Sequence, residues 1–126
     1  MSGPPDPKSR SLARGERRYR RKVASPKQWQ AIIDAKGGPC RICNDPASNG
    51  RVHGHVHFHH VVARAHGGDD VAANIVPLCG DCHGRVTRHE RAACVALAAA
   101  LTDAEYAYVI GKLGEDGAAR LFGGAR

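Results

Sequence analysis

The chain has 126 residues, a formal charge of +7 with histidines neutral, and few aromatic residues: one Trp, three Tyr and two Phe. That is enough for one domain with a modest core, and a core this small commonly needs a staple such as a metal. No run approaches the ~18 apolar residues of a membrane span, and the basic N-terminus lacks the apolar stretch of a secretory signal, so a membrane role is not expected and the expected compartment is the cytoplasm.

The charge is concentrated at one end. Residues 1–27 hold Lys8, Arg10, Arg14, Arg17, Arg18, Arg20, Arg21, Lys22 and Lys27 against Asp6 and Glu16, leaving the remainder near neutral. Residues 1–24, with Gly3, Pro4, Pro5 and Pro7 ahead of mutually repelling cations, read as a disordered basic arm for a polyanion, nucleic acid above all. Order is expected from Ser25. There Ser25, Pro26 and Gln28 make a capping box with proline at the first helical position, and Trp29, Ile32 and Ile33 fall on one face until Gly37-Gly38-Pro39 stops the helix.

Cys40 to Gly54 is rich in turn formers. A strand is expected over 55–62, where β-branched and aromatic residues alternate with His55, His57, His59 and His60, and a second, shorter strand over Ile75 to Leu78. A helix from about Asp81 should run through the alanine-rich segment to Leu101. Thr102 and Glu105 form another capping-box pattern ahead of Tyr106, Val109, Ile110 and Leu113, spaced i, i+3, i+4, i+7. This divides the chain into an arm (1–24), a metal-stapled domain (25–101) and a C-terminal amphipathic helix with its tail (102–126).

Cysteines are the sharpest signal. Cys40-Arg41-Ile42-Cys43 and Cys79-Gly80-Asp81-Cys82 are two Cys-x-x-Cys pairs. A two-residue gap lets both sulfurs of one turn reach one ion, and two such turns complete a tetrahedron; four thiolates leave no open position, so the ion is a structural zinc. Cys94, alone on the alanine-rich segment, reads as a small buried side chain.

Between the pairs stand His59-His60-Val61-Val62, the turn Gly67-Gly68-Asp69-Asp70, the strand Asn74-Ile75-Val76-Pro77-Leu78, and Cys82-His83 at a helix start. In that order and spacing the segment from about 40 to 88 resembles the HNH endonuclease family, in its four-cysteine-zinc branch common in phages and prophages. The resemblance implies a small α+β fold: a ββα-metal hairpin-helix core on the zinc knuckles, with flanking helices and the disordered arm. By position it makes His60 the general base, His59 and His83 ligands of a catalytic divalent cation (Mg²⁺ or another), and Asn74 the brace of the hairpin loop. It implies DNA as substrate, and allows a larger phage machine such as the packaging terminase as partner.

The chemistry is reasonable in its own right, because phosphodiester hydrolysis needs an activated water, a base titrating near neutrality and a cation to offset growing charge. Neighbours on a regular strand point to opposite faces, so His59 and His60 can share a site only if the strand ends or bulges there. Thr87 stands where many relatives carry a second helix histidine, an open shell that suits Mg²⁺. His57, two residues before His59, shares its face and can serve as an extra ligand or phosphate contact. Arg64, Arg85 and Arg88 can clamp a phosphate or be solvated surface charge. The competing function is a non-catalytic zinc-ribbon module, or an accessory subunit, that holds nucleic acid through the same zinc and arm.

Overall fold

Ser25 Oγ accepts from the Gln28 backbone N–H at 3.2 Å and Gln28 Oε1 accepts from the Ser25 N–H at 2.9 Å, so the expected capping box forms and starts helix α1, Pro26–Lys36. The helix ends where Gly37 takes an extended ψ of 157°, its N–H still bonded to the Ile33 carbonyl. The computed structural model describes residues 20–44 and 56–124. Most of the expected arm and the 45–55 part of the loop between the knuckle and the first strand lie outside that range.

Of the arm, Arg20–Ala24 is described, and it does not wait for Ser25 to become ordered. Lys22 donates its N–H to Asp69 Oδ1 and accepts from the Asp70 N–H, Ala24 N–H bonds Asp70 Oδ2, and Arg21 Nε donates to the Gly68 carbonyl. These bonds strap the chain over the Gly67–Asp70 turn. A count of charges does not show them, because the side chains of Arg21, Asp69 and Asp70 meet main-chain partners 46 or 47 residues away.

The two strands pair antiparallel, β1 (His57–His60) with β2 (Ile75–Leu78), in the register His57 with Leu78 through His60 with Ile75. β2 coincides with its expected span and is buried throughout; β1 is shorter than 55–62. Val61 still donates to the Asn74 carbonyl at 2.9 Å, but Val62 N–H turns to the Asn74 side chain, and the ladder stops. Short 3-10 turns at Arg64–His66 and Ala72–Asn74 carry the connection. Gly68 is needed where it is: a Cβ there would overlap the Val62 carbonyl.

Helix α2, Gly80–Thr87, opens with Cys79 as N-cap. The single helix expected from Asp81 to Leu101 is corrected: α2 stops at Thr87, Arg88 leaves helical geometry, His89 adopts a left-handed φ of 60°, and α3 (Arg91–Ala100) begins afresh. Alanine propensity governs each piece, but the reversal lets Ala93, Cys94 and Leu97 turn inward beside Val86, all four buried, and that packing outweighs the cost of an unfavourable φ at one residue. Cys94 is the buried side chain expected of it.

Helix α4, Asp103–Phe122, has the Thr102–Glu105 capping box and is broken at Gly114, where φ is 76°. The expected boundary at 101/102 is not a boundary of packing. Val109, Ala118 and Phe122 from α4 lie in the same core as Val62, Val76, Leu78 and Leu97. Glu105, 1 % exposed, joins α4 to α1 through Lys36 and to the first knuckle through Arg41.

Candidate metal centres

Two groups of side chains stand out among the described residues. At the first, the Sγ atoms of Cys40, Cys43, Cys79 and Cys82 lie within 4.8 Å of one another, and three of these residues are buried. The knuckles are held in register by the sheet, since Arg41 N–H donates to the Pro77 carbonyl at 2.8 Å. Cys79 Sγ accepts from the Cys82 N–H at 3.4 Å, so the sulfur doubles as helix cap.

Burial alone would raise the Cys40 thiol, but hydrogen bonds from the backbone of Cys79, Cys43 and Ile42 and from the Cys43 side chain bring it down to about 7. Cys82 is driven the other way, by burial and then by Cys79 and Cys40 beside it. Four thiols so close cannot all ionise without a counter-charge. A dication supplies that charge, and the donor set fits zinc in a closed tetrahedral site.

The second site is made of imidazoles. His57 and His59 leave one face of β1 and meet His83 from the first turn of α2. His57 Nδ1 lies 2.9 Å from His83 Nδ1, and the His59 and His83 rings are 5.2 Å apart in an edge-on arrangement. Burial first, then the charges of His83 and His60, hold His59 down at about 4; burial and then His57 lower His83 too. Both therefore present unprotonated nitrogens at neutral pH, the form that binds a cation.

His60 is the last residue of β1, which ends there without a bulge, as the sharing of one site by His59 and His60 requires, and all three of His59, His60 and His83 line one cavity. The His60 ring stacks on Trp29 of α1, with centroids 5.8 Å apart and planes 8° from parallel. Its Nε2 lies 2.8 Å from Asp70 Oδ1. Burial would raise Asp70, but His60, the Ala24 N–H and the Arg21 guanidinium together hold it below the usual carboxylate range. Asp70 is thus an ionised acceptor, and Nε2 carries the proton that it accepts.

Asn74 is fully buried. Its Oδ1 accepts from Val62 N–H at 2.8 Å, and its Nδ2 donates to the carbonyls of Val62 at 3.1 Å and Asp69 at 3.0 Å. One side chain therefore ties together both ends of the loop between the strands. Asp69 is secured from α4, accepting from Tyr108 Oη at 2.7 Å and Lys112 Nζ at 2.9 Å.

A cavity of about 530 Å³ opens beside these groups, with His59, His83, Thr87, His66 and Arg64 among its lining and Val86, Leu97 and Phe122 at its apolar side. Arg85 and Arg88 are more than half exposed and paired with Asp81 and Glu90 at the surface. Sequence reasoning missed Arg21, Trp29, Asp70 and Tyr108, since each reads locally as arm, helix face, turn or amphipathic stripe. The Gly-Gly-Asp-Asp run was the one available hint, its two acids exceeding what a turn requires.

Residues 40–89 match the model of the HNH endonuclease family. No curated protein and no solved structure matches the chain.

Proposed function

We propose, from the match of residues 40–89 to the HNH endonuclease model, that this chain hydrolyses phosphodiester bonds of DNA, nicking or cutting with little base specificity, at a divalent cation held by His59 and His83. The observation that carries this reading is the meeting of those two imidazoles across the β1–α2 seam, their ring centroids 5.2 Å apart, where burial lowers both from the ordinary imidazole value. A bound divalent cation, Mg²⁺ or another, offsets the charge that grows on the phosphate and on the leaving oxygen. His60 is the base. Asp70 accepts from Nε2 and fixes the tautomer, so Nδ1 is free to take a proton from water, while Trp29 holds the plane of the ring. Asn74 braces the loop that follows His60.

His59, His60 and His83 all line the cavity at the end of β1, and the scissile phosphate would enter there. Contacts centred on phosphate carry no sequence information, which accounts for the low specificity. Reduced thiolates suit a cytoplasmic setting. A larger phage assembly such as a packaging terminase is the candidate partner.

One observation favours the rival, a zinc module that binds DNA without cutting it: the His60 side chain is 9 % exposed and already bonded. Plasmid cleavage decides between them. His60→Ala should keep zinc, fold and DNA affinity yet lose at least about a hundredfold in rate. His83→Ala should recover partly at high metal, whereas His60→Ala should not respond to metal. Wild-type cleavage by His60→Ala refutes the assigned base; no metal-dependent cleavage by the intact chain refutes the nuclease.

A further inference from the structure

The cavity beside the candidate site is larger and drier than phosphodiester hydrolysis requires. A scissile phosphate and an attacking water need polar surroundings, and His59, His60 and His83 supply them. Much of the remaining lining is apolar: Val86, Cys94, Leu97, Leu113, Leu121 and Phe122, from α2, α3 and α4. Protein interiors are packed about as densely as organic crystals, so about 530 Å³ of apolar space left unfilled is unfavourable in a domain this small. Chambers of this volume suit small organic ligands.

The rim has a different character. Arg64, His66, Thr87 and His89 are exposed and line the same cavity. Arg85 and Arg88 are paired with Asp81 and Glu90, whereas Arg64 is paired with no carboxylate among the described residues. The cavity thus fits an occupant with an apolar body, a hydrogen-bonding edge and an anionic attachment that passes the three histidines. A nucleobase has this combination: its faces stack on apolar and aromatic side chains, its edge carries donors and acceptors, and its sugar joins it to phosphate. A base paired and stacked in a duplex points toward the helix axis and does not reach such a recess unless it turns out.

We propose that this cavity receives one unstacked base of the DNA strand whose phosphate lies at His59, His60 and His83, and that the chain therefore prefers DNA containing unpaired nucleotides to perfect duplex. The inference rests on the reading of DNA as substrate; it adds the place of the base and the conformation of the strand. Turning a paired base out of the stack costs free energy that an unpaired base largely escapes, and that difference is the source of the preference.

The test reads binding. Two short duplexes of one sequence carry 2-aminopurine at the centre, opposite thymine in one and opposite an abasic site in the other. Their phosphates are the same, so the basic surface holds both alike. Zinc-loaded full-length chain is titrated with each, without added divalent cation so that neither is cut. The duplex with the unpaired base should bind on the order of tenfold tighter or more, with a rise in 2-aminopurine fluorescence as the base leaves its neighbours. Leu121→Trp fills the chamber from a half-buried position, and Thr87→Trp blocks it from an exposed one that leaves the core intact. Each variant that keeps zinc and melting temperature should lose the preference and the fluorescence rise but retain the affinity for the paired duplex. Equal affinities in the wild-type chain overturn the proposal. So does a preference that survives in a folded variant, since it then comes from the flexibility of the abasic duplex. Cleavage is measured separately with Mg²⁺: cutting without a binding preference removes the base site and leaves the nuclease, whereas a preference without cutting does the reverse. A chain that binds neither duplex refutes both.

Discussion

Glu105 offers a stability measurement whose size can be worked out beforehand. Burial by itself would raise its carboxyl, but Arg41, Lys36 and the Thr102 N–H hold it down, from an ordinary 4.5 to about 2. Each tenfold difference in proton affinity is worth about 1.4 kcal/mol, so the ionised group contributes about 3 kcal/mol at neutral pH. Because Glu105 is 1 % exposed, little of this is lost to solvent screening. Glu105→Gln keeps the shape and the capping geometry but leaves the Lys36 and Arg41 cations facing a neutral amide, and about 3 kcal/mol should be lost. The folded value lies below the unfolded one, so the contribution is present above pH 4.5 and is lost as pH falls from about 4.5 to about 2. Urea unfolding of the zinc-loaded chain at pH 7 gives the difference directly, and a drop in Tm of 10 °C or more should accompany it. A loss under about 1 kcal/mol at pH 7, with zinc retained, would refute the claim that this buried cluster holds α4 to the first knuckle.

Cys40→Ser and Cys79→Ser should each abolish stoichiometric zinc and unfold the hairpin region, because each removes a ligand from a different knuckle; metal analysis finding no zinc in the folded wild-type chain defeats this. Asn74→Ala should cost about 3 kcal/mol or more, since it orphans the Val62 N–H and weakens two carbonyl contacts in a buried loop; denaturant unfolding within 1 kcal/mol of wild type argues against the brace. Deleting residues 1–19 removes five cations and spares the Arg21–Ala24 strap. It should weaken DNA binding and lower the slope of log affinity against log salt by up to about 4, and an unchanged slope shows that the segment does not touch phosphate.

Local chemistry made part of this molecule readable. Ser25, Pro26 and Gln28 set the start of α1 because a capping box is satisfied within four residues, and the buried, uninterrupted Ile75–Leu78 run defined β2. The cysteine spacing anticipated the sulfur cluster because two-residue gaps constrain geometry over one turn. What stayed hidden depends on partners distant in sequence. Nothing in Thr87-Arg88-His89-Glu90 carries a helix-stop signal; the reversal there is imposed by the core that Val86, Ala93 and Leu97 share. Glu105 is fully explained locally as the capping-box acid, which conceals its ion pairs 64 and 69 residues away. That β1 has to end or bulge at His59-His60 was legible as a rule of strand alternation, and it ends there, but Asp70 and Trp29, which hold the His60 ring, were not legible.

The two knuckles stand at opposite ends of the hairpin, one before β1 and one after β2. A zinc that joins them is therefore a closure of chain as well as a bundle of ligands. Bringing Cys43 to Cys79 means closing a loop of 36 residues, an entropic penalty of about 3 kcal/mol for a flexible chain. That penalty grows only logarithmically, by about 0.6 kcal/mol for each doubling of length. The segment from 45 to 55 lies within this loop and ahead of the strands. A longer connection between the knuckles would therefore leave the zinc closure, and the hairpin register it spans, almost unchanged in free energy.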